Sequence, residues 1–401
     1  MDRFSIADVA HLLGLSELKN NPHNPETYCV CPFCGNKKGK FSYIVKKENK
    51  ENMYHCWSCG ESGTAVELYM KLSGKNYDIK EDYKQAVRDI FNDLGSSNYI
   101  PQIIVPKDEN KGAEKASDEH ISLVYTNMLK LLSLSDEHKA DLIRRGLDED
   151  NIRKFKFKSM PSDSKSSKAL CHNLRKMGLR LDGVPGFYLD NGTWNLKYSG
   201  SGYLCPVYDG ERNLIIGFQI RVDKPIGGAK YLWLSSSGRE KGCSPGAVTT
   251  FLPGKNHNII IIVEGILKAI IVYCLLGKQI SVMGVPGVNA IKGIDSYLKQ
   301  HSLCYVFEAY DMDKSIKTDD PKLLEKTKRV ADAALILRKA VKEYGFGIHS
   351  LKWDFDSEGF WKENYKGLDD FLLEYQDKER FISYVESKGN KSLALQKYLN
   401  S

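Results

Sequence analysis

The sequence predicts a multidomain chain of mixed α+β and α/β class, and three observations carry that prediction. Residues 259–263 are a continuous β-branched run, too short for a membrane span, that stops at Glu264-Gly265; a second apolar run, residues 303–307, leads to Asp311-Met312-Asp313. Fully apolar strands of this length fit a parallel sheet covered on both faces. Between them lie a packed-helix pattern over residues 266–277, a strand pattern over 280–285 and a Pro286-Gly287 turn. Such βαβα alternation marks an α/β sheet, whose ligands gather beyond the carboxyl ends of its strands. The third observation is a pair of Cys-x-x-Cys turns near the amino terminus, which sets the first hundred residues apart.

Residues 4–18 place Ile6, Val9, Ala10, Leu12, Leu13 and Leu15 on one helical face. Cys31-Pro32-Phe33-Cys34-Gly35 and Cys56-Trp57-Ser58-Cys59-Gly60 follow, with 21 residues between the pairs. Two such turns, each closed by glycine, make a tetrahedral zinc site from Cys31, Cys34, Cys56 and Cys59, structural because protein fills all four positions. Cys29 and His55 are spare groups that the pattern does not need. Between the pairs, residues 37–47 alternate like a strand of a small antiparallel sheet. Lys37, Lys38 and Lys40 can meet phosphates there while Phe41, Tyr43 and the knuckle residue Trp57 stack on unpaired bases; the competing reading puts Phe41 and Tyr43 in the ribbon's own core. Helices are expected over 65–72 and 83–94.

Residues 95–119, with Pro101, Pro106 and a polar tract, cannot bury a core and read as a mobile tether, unless 103–105 dock as an edge strand. Helical patterns resume at His120 and run past Arg144 and Arg145 to Phe157, followed by strand patterns at 186–189, 204–209, 214–221 and 230–234, with a hairpin turn at Asp209-Gly210. After the α/β core come a helix over 321–344, a strand over 347–353 and closing helices over 368–375 and 380–387. The expected domains are therefore 1–95, a linker 96–119, a basic subdomain 120–255, the α/β unit 256–376 and a helical tail 377–401.

A hydrophobic share of 42% beside 27% charged residues is ordinary for a soluble globular chain. No signal-peptide pattern and no long apolar span is present, so a cytoplasmic protein is expected without a membrane partner. Ten cysteines in that compartment argue for metal rather than disulfides. The net charge is +7, and residues 144–180 alone hold eleven Lys/Arg against four Asp/Glu. That concentration suggests a polyanionic partner, and Arg144, Arg145 and, further along, Lys268 are candidates to contact it.

Cys-Pro-Phe-Cys, then Phe-Ser, then residues 54–66 resemble the primase-type zinc-binding domain, in the all-cysteine form of phage primase-helicases. Val263-Glu264-Gly265 followed by Asp311-x-Asp313 resembles the toprim domain shared by DnaG-type primases, topoisomerases and some nucleases, here as a Rossmann-like α/β sheet. Alternate residues of an extended chain point to one side, so Asp311 and Asp313 can hold one hard cation together; the resemblance implies that this ion is Mg²⁺ or Mn²⁺, with Glu264 as a further ligand or the acid-base group. It departs at Lys268, where primases carry an acidic residue; Glu-Gly-x-Leu-Lys-Ala is similar to a toprim-like branch found in phages and mobile elements. Lys366-Gly367-Leu368-Asp369-Asp370 resembles the family's late acidic segment and makes Asp369 a further site candidate. Arg221 and Lys230 match positions that hold template and nucleotide phosphates across the groove.

The implied function is a phage or mobile-element primase that makes short RNA primers on single-stranded DNA from nucleoside triphosphates. It would act as a monomer, with a replicative helicase or initiator encoded elsewhere as partner. No P-loop is present, and nothing after the closing helices has the length of a helicase-binding domain. The rivals are a toprim nuclease or recombination factor, and a non-catalytic zinc-containing DNA-binding adaptor in replication initiation.

Overall fold

The computed structural model describes residues 4–18, 26–45, 52–75, 77, 82–95, 112–161, 163–197, 200–226, 229–246, 248–287, 294, 297 and 304–399. Most of the expected linker, including Pro101, Pro106 and residues 103–105, lies outside them.

The amino-terminal unit opens with helix α1 (Ile6–Leu12), whose Ser5 and Asp8 form a reciprocal capping box. The helix is shorter than its apolar pattern suggested, because the chain turns at Gly14 with φ +63°. A four-stranded antiparallel sheet follows in the order β1 (Glu26–Cys29), β2 (Phe41–Val45), β3 (Asn52–Cys56) and β4 (Ser62–Thr64). A second capping box, Thr64 with Glu67, starts α2 (Ala65–Leu72), and α3 (Tyr83–Gly95) packs beside it. Their apolar faces share one small core with Phe41, Tyr43 and Tyr54.

The second unit begins with α4 (Asp118–Lys130), α5 (Asp136–Arg144) and α6 (Glu149–Lys154), each capped by a serine or aspartate side chain. Strand β5 (Lys158–Ser159) and α7 (Ser164–Lys176) precede a two-stranded hairpin, β6 (Phe187–Asp190) and β7 (Thr193–Leu196). Asn191 and Gly192 at its turn have φ of +46° and +78°, the mirror-image geometry that matches strand twist. Then come β8 (Gly202–Asp209), β9 (Leu214–Ile226), β10 (Ala229–Trp233) and the short β11 (Thr250–Leu252).

The α/β part contributes β12 (Asn256–Glu264), α8 (Ile266–Leu275), β13 (Ile280–Val285), β14 (Tyr305–Glu308), α9 (Pro321–Glu343) and β15 (Gly347–Ser350). Helices α10 (Leu368–Glu374) and α11 (Lys378–Leu399) complete the order. Strand β12 lies parallel between β13 and β14, and β14 is parallel to β15. Ile260 and Ile262 meet α9 on one face, while Ile259, Ile261 and Val263 meet α8, α10 and α11 on the other. All five are buried to within 1% of completeness, and each such burial stabilises by roughly 1.5–3 kcal/mol.

Among the described residues the two units share a single nine-stranded sheet, ordered β10-β9-β8-β11-β13-β12-β14-β15 with β5 on β8. Strand β11 joins them, antiparallel to β13 and parallel to β8. It had no visible sequence signal, being three residues long. No helix among the described residues is long and apolar enough to cross a membrane.

Candidate nucleic-acid interface and acidic site

In the amino-terminal unit, the Cys31 and Cys34 turn and the Cys56 and Cys59 turn face each other. Cys31 Sγ lies 3.9 Å from Cys59 Sγ, Cys34 Sγ lies 3.9 Å from Cys56 Sγ, and all four sulfurs fall within 4.8 Å. Tetrahedral zinc–thiolate bonds place sulfurs about 3.8 Å apart, so this donor set fits zinc without rearrangement. No disulfide competes for it. Gly35 and Gly60 have φ of +67° and +73°, and their N–H groups donate to the carbonyls of Cys31 and Cys56. Cys29 and His55 stand outside the cluster; burial pushes the Cys29 thiol up to about 12.

Lys37, Lys38 and Lys40 are exposed beside the knuckle, and Trp57 is 59% exposed with its ring edge-on to His55. Phe41 and Tyr43 correct the stacking expectation. Phe41 is fully buried against Phe33 and Tyr54, and Tyr43 is 3% exposed with its hydroxyl donating to Glu17. The ribbon has too few other apolar residues to close a core without them, so no base can reach either ring.

The knuckle rests on the second unit. Lys197 Nζ donates to the Cys59 carbonyl, Arg239 Nη2 is 3.4 Å from Glu61, and Gly238 approaches Cys34 so closely that an added Cβ would lie 3.4 Å from the Cys34 Cβ. A cleft of ≈ 850 Å³ opens along this junction, lined by Lys40, Trp57, Lys197, Tyr231, Trp233 and Pro286 among others. Pro286 follows directly on Val285, the strand partner of Glu264. Of the residues that line the cleft, Pro286 is thus the one tied to the β12 end, and none of Glu264, Asp311, Asp313 and Asp369 is among them. A second cavity of ≈ 450 Å³, lined by Lys130, Lys139 and Phe157, lies apart from these carboxylates.

At those strand ends the chain gathers Glu264, Asp311, Asp313 and Asp369. Gly265, with φ +108°, ends β12, and its N–H donates to the Val285 carbonyl. Asp311 and Asp313 do not alternate along an extended strand as expected. Strand β14 stops at Glu308, and Asp311 instead caps a single 3₁₀ turn, Met312–Ser315. Buried Glu308 holds that turn: it lies 2.6 Å from Lys314 Nζ and accepts from Ser350 Oγ and the Tyr310 N–H. Met312 N–H donates to the Lys366 carbonyl, which brings the late acidic segment alongside. There the adjacent carboxylates divide. Asp370 accepts the Gly367 N–H and caps α10, while Asp369 turns towards Lys268.

Two lysines sit among these acids. Lys268 Nζ bonds Asp311 Oδ1 and is 3.9 Å from Asp369 Oδ1; Lys366 Nζ is 2.9 Å from Asp313 Oδ2 and 3.5 Å from Asp311 Oδ2. Burial works against the Lys268 charge, but Asp311 and Asp369 more than offset it and hold the ammonium above the usual lysine range. Burial, followed by the charge of Asp311, raises Glu264 above the usual carboxylate range. Burial likewise raises Asp369, whose Oδ1 has no hydrogen-bond partner among the described residues. Unlike the four sulfurs, these carboxylates do not bring three ligand atoms within 4.8 Å of one another.

Across the cleft, Arg221 stacks on Tyr231, its direct partner between β9 and β10, with the guanidinium 5.1 Å from the ring centre. Burial pushes Tyr231 up to about 12, and the charges of Arg221, Arg145 and Asp369 also act on it. Arg145 bonds Asp141, which also accepts the Tyr203 hydroxyl. Arg144 bonds Asp141 from the outer side and is 72% exposed. Lys230 is exposed at a register shift rather than opposite Arg221, so the two cations do not form one clamp. Sequence reasoning missed Lys197, Arg239, Glu308 and Lys366; each is an unremarkable charge until tertiary contacts bury or pair it.

Residues 3–98 match the family model for the CHC2 zinc finger, the DnaG-type zinc ribbon. That match covers the whole amino-terminal unit. The chain is 24% identical over 135 residues to a DNA primase of Lactococcus lactis; that stretch is 34% of this chain and 20% of the relative, so only a fifth of the curated protein is matched. Among solved structures, the zinc-binding and RNA polymerase domains of the Aquifex aeolicus primase align at 16% identity over 96% of this chain and 86% of that one, with TM-score 0.48. A DNA primase domain from Pseudomonas aeruginosa aligns at 18% identity over 66% and 78%, with TM-score 0.44.

Proposed function

We propose that this chain is a primase that joins ribonucleotides on a single-stranded DNA template at the acidic site. The observation that supports this reading most is the cleft between the zinc knuckle and the second unit, whose lining includes Pro286, the residue after Val285, the strand partner of Glu264. Exposed Lys37, Lys38, Lys40 and Trp57 meet the template by phosphate contact and stacking. Arg221 and Arg145 lie near Tyr231, a residue of the cleft that Asp369 also influences, and would hold triphosphate or template phosphates. Glu264, Asp311 and Asp313 would hold a Mg²⁺ or Mn²⁺ ion, which when bound polarises phosphate oxygens and lowers the pKa of a ribose hydroxyl. Glu264, raised above the usual carboxylate range by burial, is the residue suited to move a proton at that hydroxyl. The mobile-element setting and an outside helicase or initiator belong to the same proposal.

The test incubates the full chain with single-stranded DNA, labelled ribonucleotides and Mg²⁺ or Mn²⁺. Labelled oligonucleotides are expected, and Asp311→Ala lowers their yield by at least about a hundredfold while DNA binding stays within about twofold. Cleaved DNA without synthesis would turn the assignment to a nuclease. The pairing of Lys268 and Lys366 with the acids favours one other reading, a non-catalytic DNA-binding adaptor, which predicts DNA binding with neither activity.

A further inference from the structure

We propose that Lys268 is a built-in substitute for one divalent cation, so that the acidic cluster takes a single ion rather than two. This rests on reading the cluster as a metal site.

The Lys268 ammonium is in place before any ion arrives. Its side chain is 16% exposed, it bonds Asp311 Oδ1, and it approaches the otherwise unpartnered Asp369 Oδ1. The backbone is shaped around it. A Cβ added at Gly367 would lie 3.0 Å from Lys268 Nζ and 2.2 Å from Asp369 Oδ1, so this pair packs directly against the Gly367 backbone. Gly265 and the start of α8 fix the other end of the side chain one turn from Glu264.

The free oxygens set the ion count. Lys268 holds Asp311 Oδ1 and approaches Asp369 Oδ1, which leaves Glu264, Asp313 and Asp311 Oδ2 as the oxygens one ion can share. The nearby Glu308 adds nothing, because Lys314 and Arg338 already pair with it. The two lysines are not equivalent. Lys366 is 43% exposed and can swing into solvent, freeing Asp313 and Asp311 Oδ2 for the ion. Lys268 is enclosed and keeps Asp311 Oδ1 and Asp369.

The experiment titrates the zinc-loaded full chain with Mn²⁺ and reads free ion by electron paramagnetic resonance, so it needs no catalytic activity. The wild type is expected to bind one ion, Lys268→Asp two, and Lys366→Ala one ion about tenfold more tightly. Two ions in the wild type overturn the inference while leaving the metal site and the primase reading standing. So does a single ion in Lys268→Asp whose near-ultraviolet circular dichroism matches the wild type. Should Lys268→Asp fail to fold, Lys268→Gln serves in its place: a second ion, or the first bound about tenfold more tightly, is expected, and unchanged binding overturns the inference. No ion in the wild type, Lys366→Ala or the Lys268 variants overturns the metal reading of the cluster as well.

Discussion

The zinc knuckle and the acidic cluster hold cations with opposite uses of the chain. The four cysteines come from two tight turns at the ends of one antiparallel pair, in which Phe41 stands opposite Cys56. Local geometry aims every sulfur, and like charges are relieved only by the metal. The four carboxylates come from β12, the turn after β14 and the start of α10, which meet only because the parallel sheet stacks them. Two lysines share that space and relieve the repulsion in advance. The comparison teaches that a site assembled locally depends on its ion for structure, whereas one assembled by a sheet can stand without it.

Removing one sulfur should have the largest effect. Zinc sites of this type carry about 10–16 kcal/mol of folding free energy, so Cys56→Ser should empty the knuckle and expose the amino-terminal unit to protease. Metal analysis showing an unchanged one-to-one zinc content would break the comparison. On the acidic side, Glu308→Ala leaves Lys314 buried without its anion and should cost about 3–5 kcal/mol in urea unfolding. A loss below about 1 kcal/mol, the level of a surface pair, would mean that this network does not hold the Asp311 turn.

A smaller effect separates contact from structure within the ribbon. Trp57→Ala should weaken single-stranded DNA binding by about 1–3 kcal/mol without changing zinc content, because the ring is exposed. Unchanged affinity in a fluorescence-anisotropy titration would remove Trp57 from the interface. The smallest effect concerns pH. Glu264 is raised above its unfolded value of 4.5, so its contribution is fully present below that pH and is lost as pH rises through the higher folded value. Without added divalent ion, Glu264→Gln should therefore remove a decline in stability above pH 4.5, by about 1.4 kcal/mol for each pKa unit of the shift. Parallel stability curves for the two proteins would show that Glu264 is not buried among charges.

Much of this was readable because the pattern and the physics coincide. The Cys-x-x-Cys spacing fixes a ligand set by itself, and the run at 259–263 can only be a strand buried on both faces. Other features were unreadable because a residue type does not report its neighbours. Phe41 and Tyr43 look like stacking rings between lysines, yet the small ribbon needs both for its core. Asp311 and Asp313 look like an alternating pair, yet the strand ends at Glu308 and a 3₁₀ turn presents them. The three residues of β11 give no periodic signal, yet they join the two units into one sheet.

By itself the sequence determined the zinc ligands, the central parallel strands and the acidic residues at their ends, because these follow from spacing and local apolar pattern. Tertiary structure alone decided which charges meet. Only the packing of α8 and α10 at the strand ends puts the Lys268 ammonium between Asp311 and Asp369. Electrostatic energy depends on distances through space, and positions along the chain do not set them.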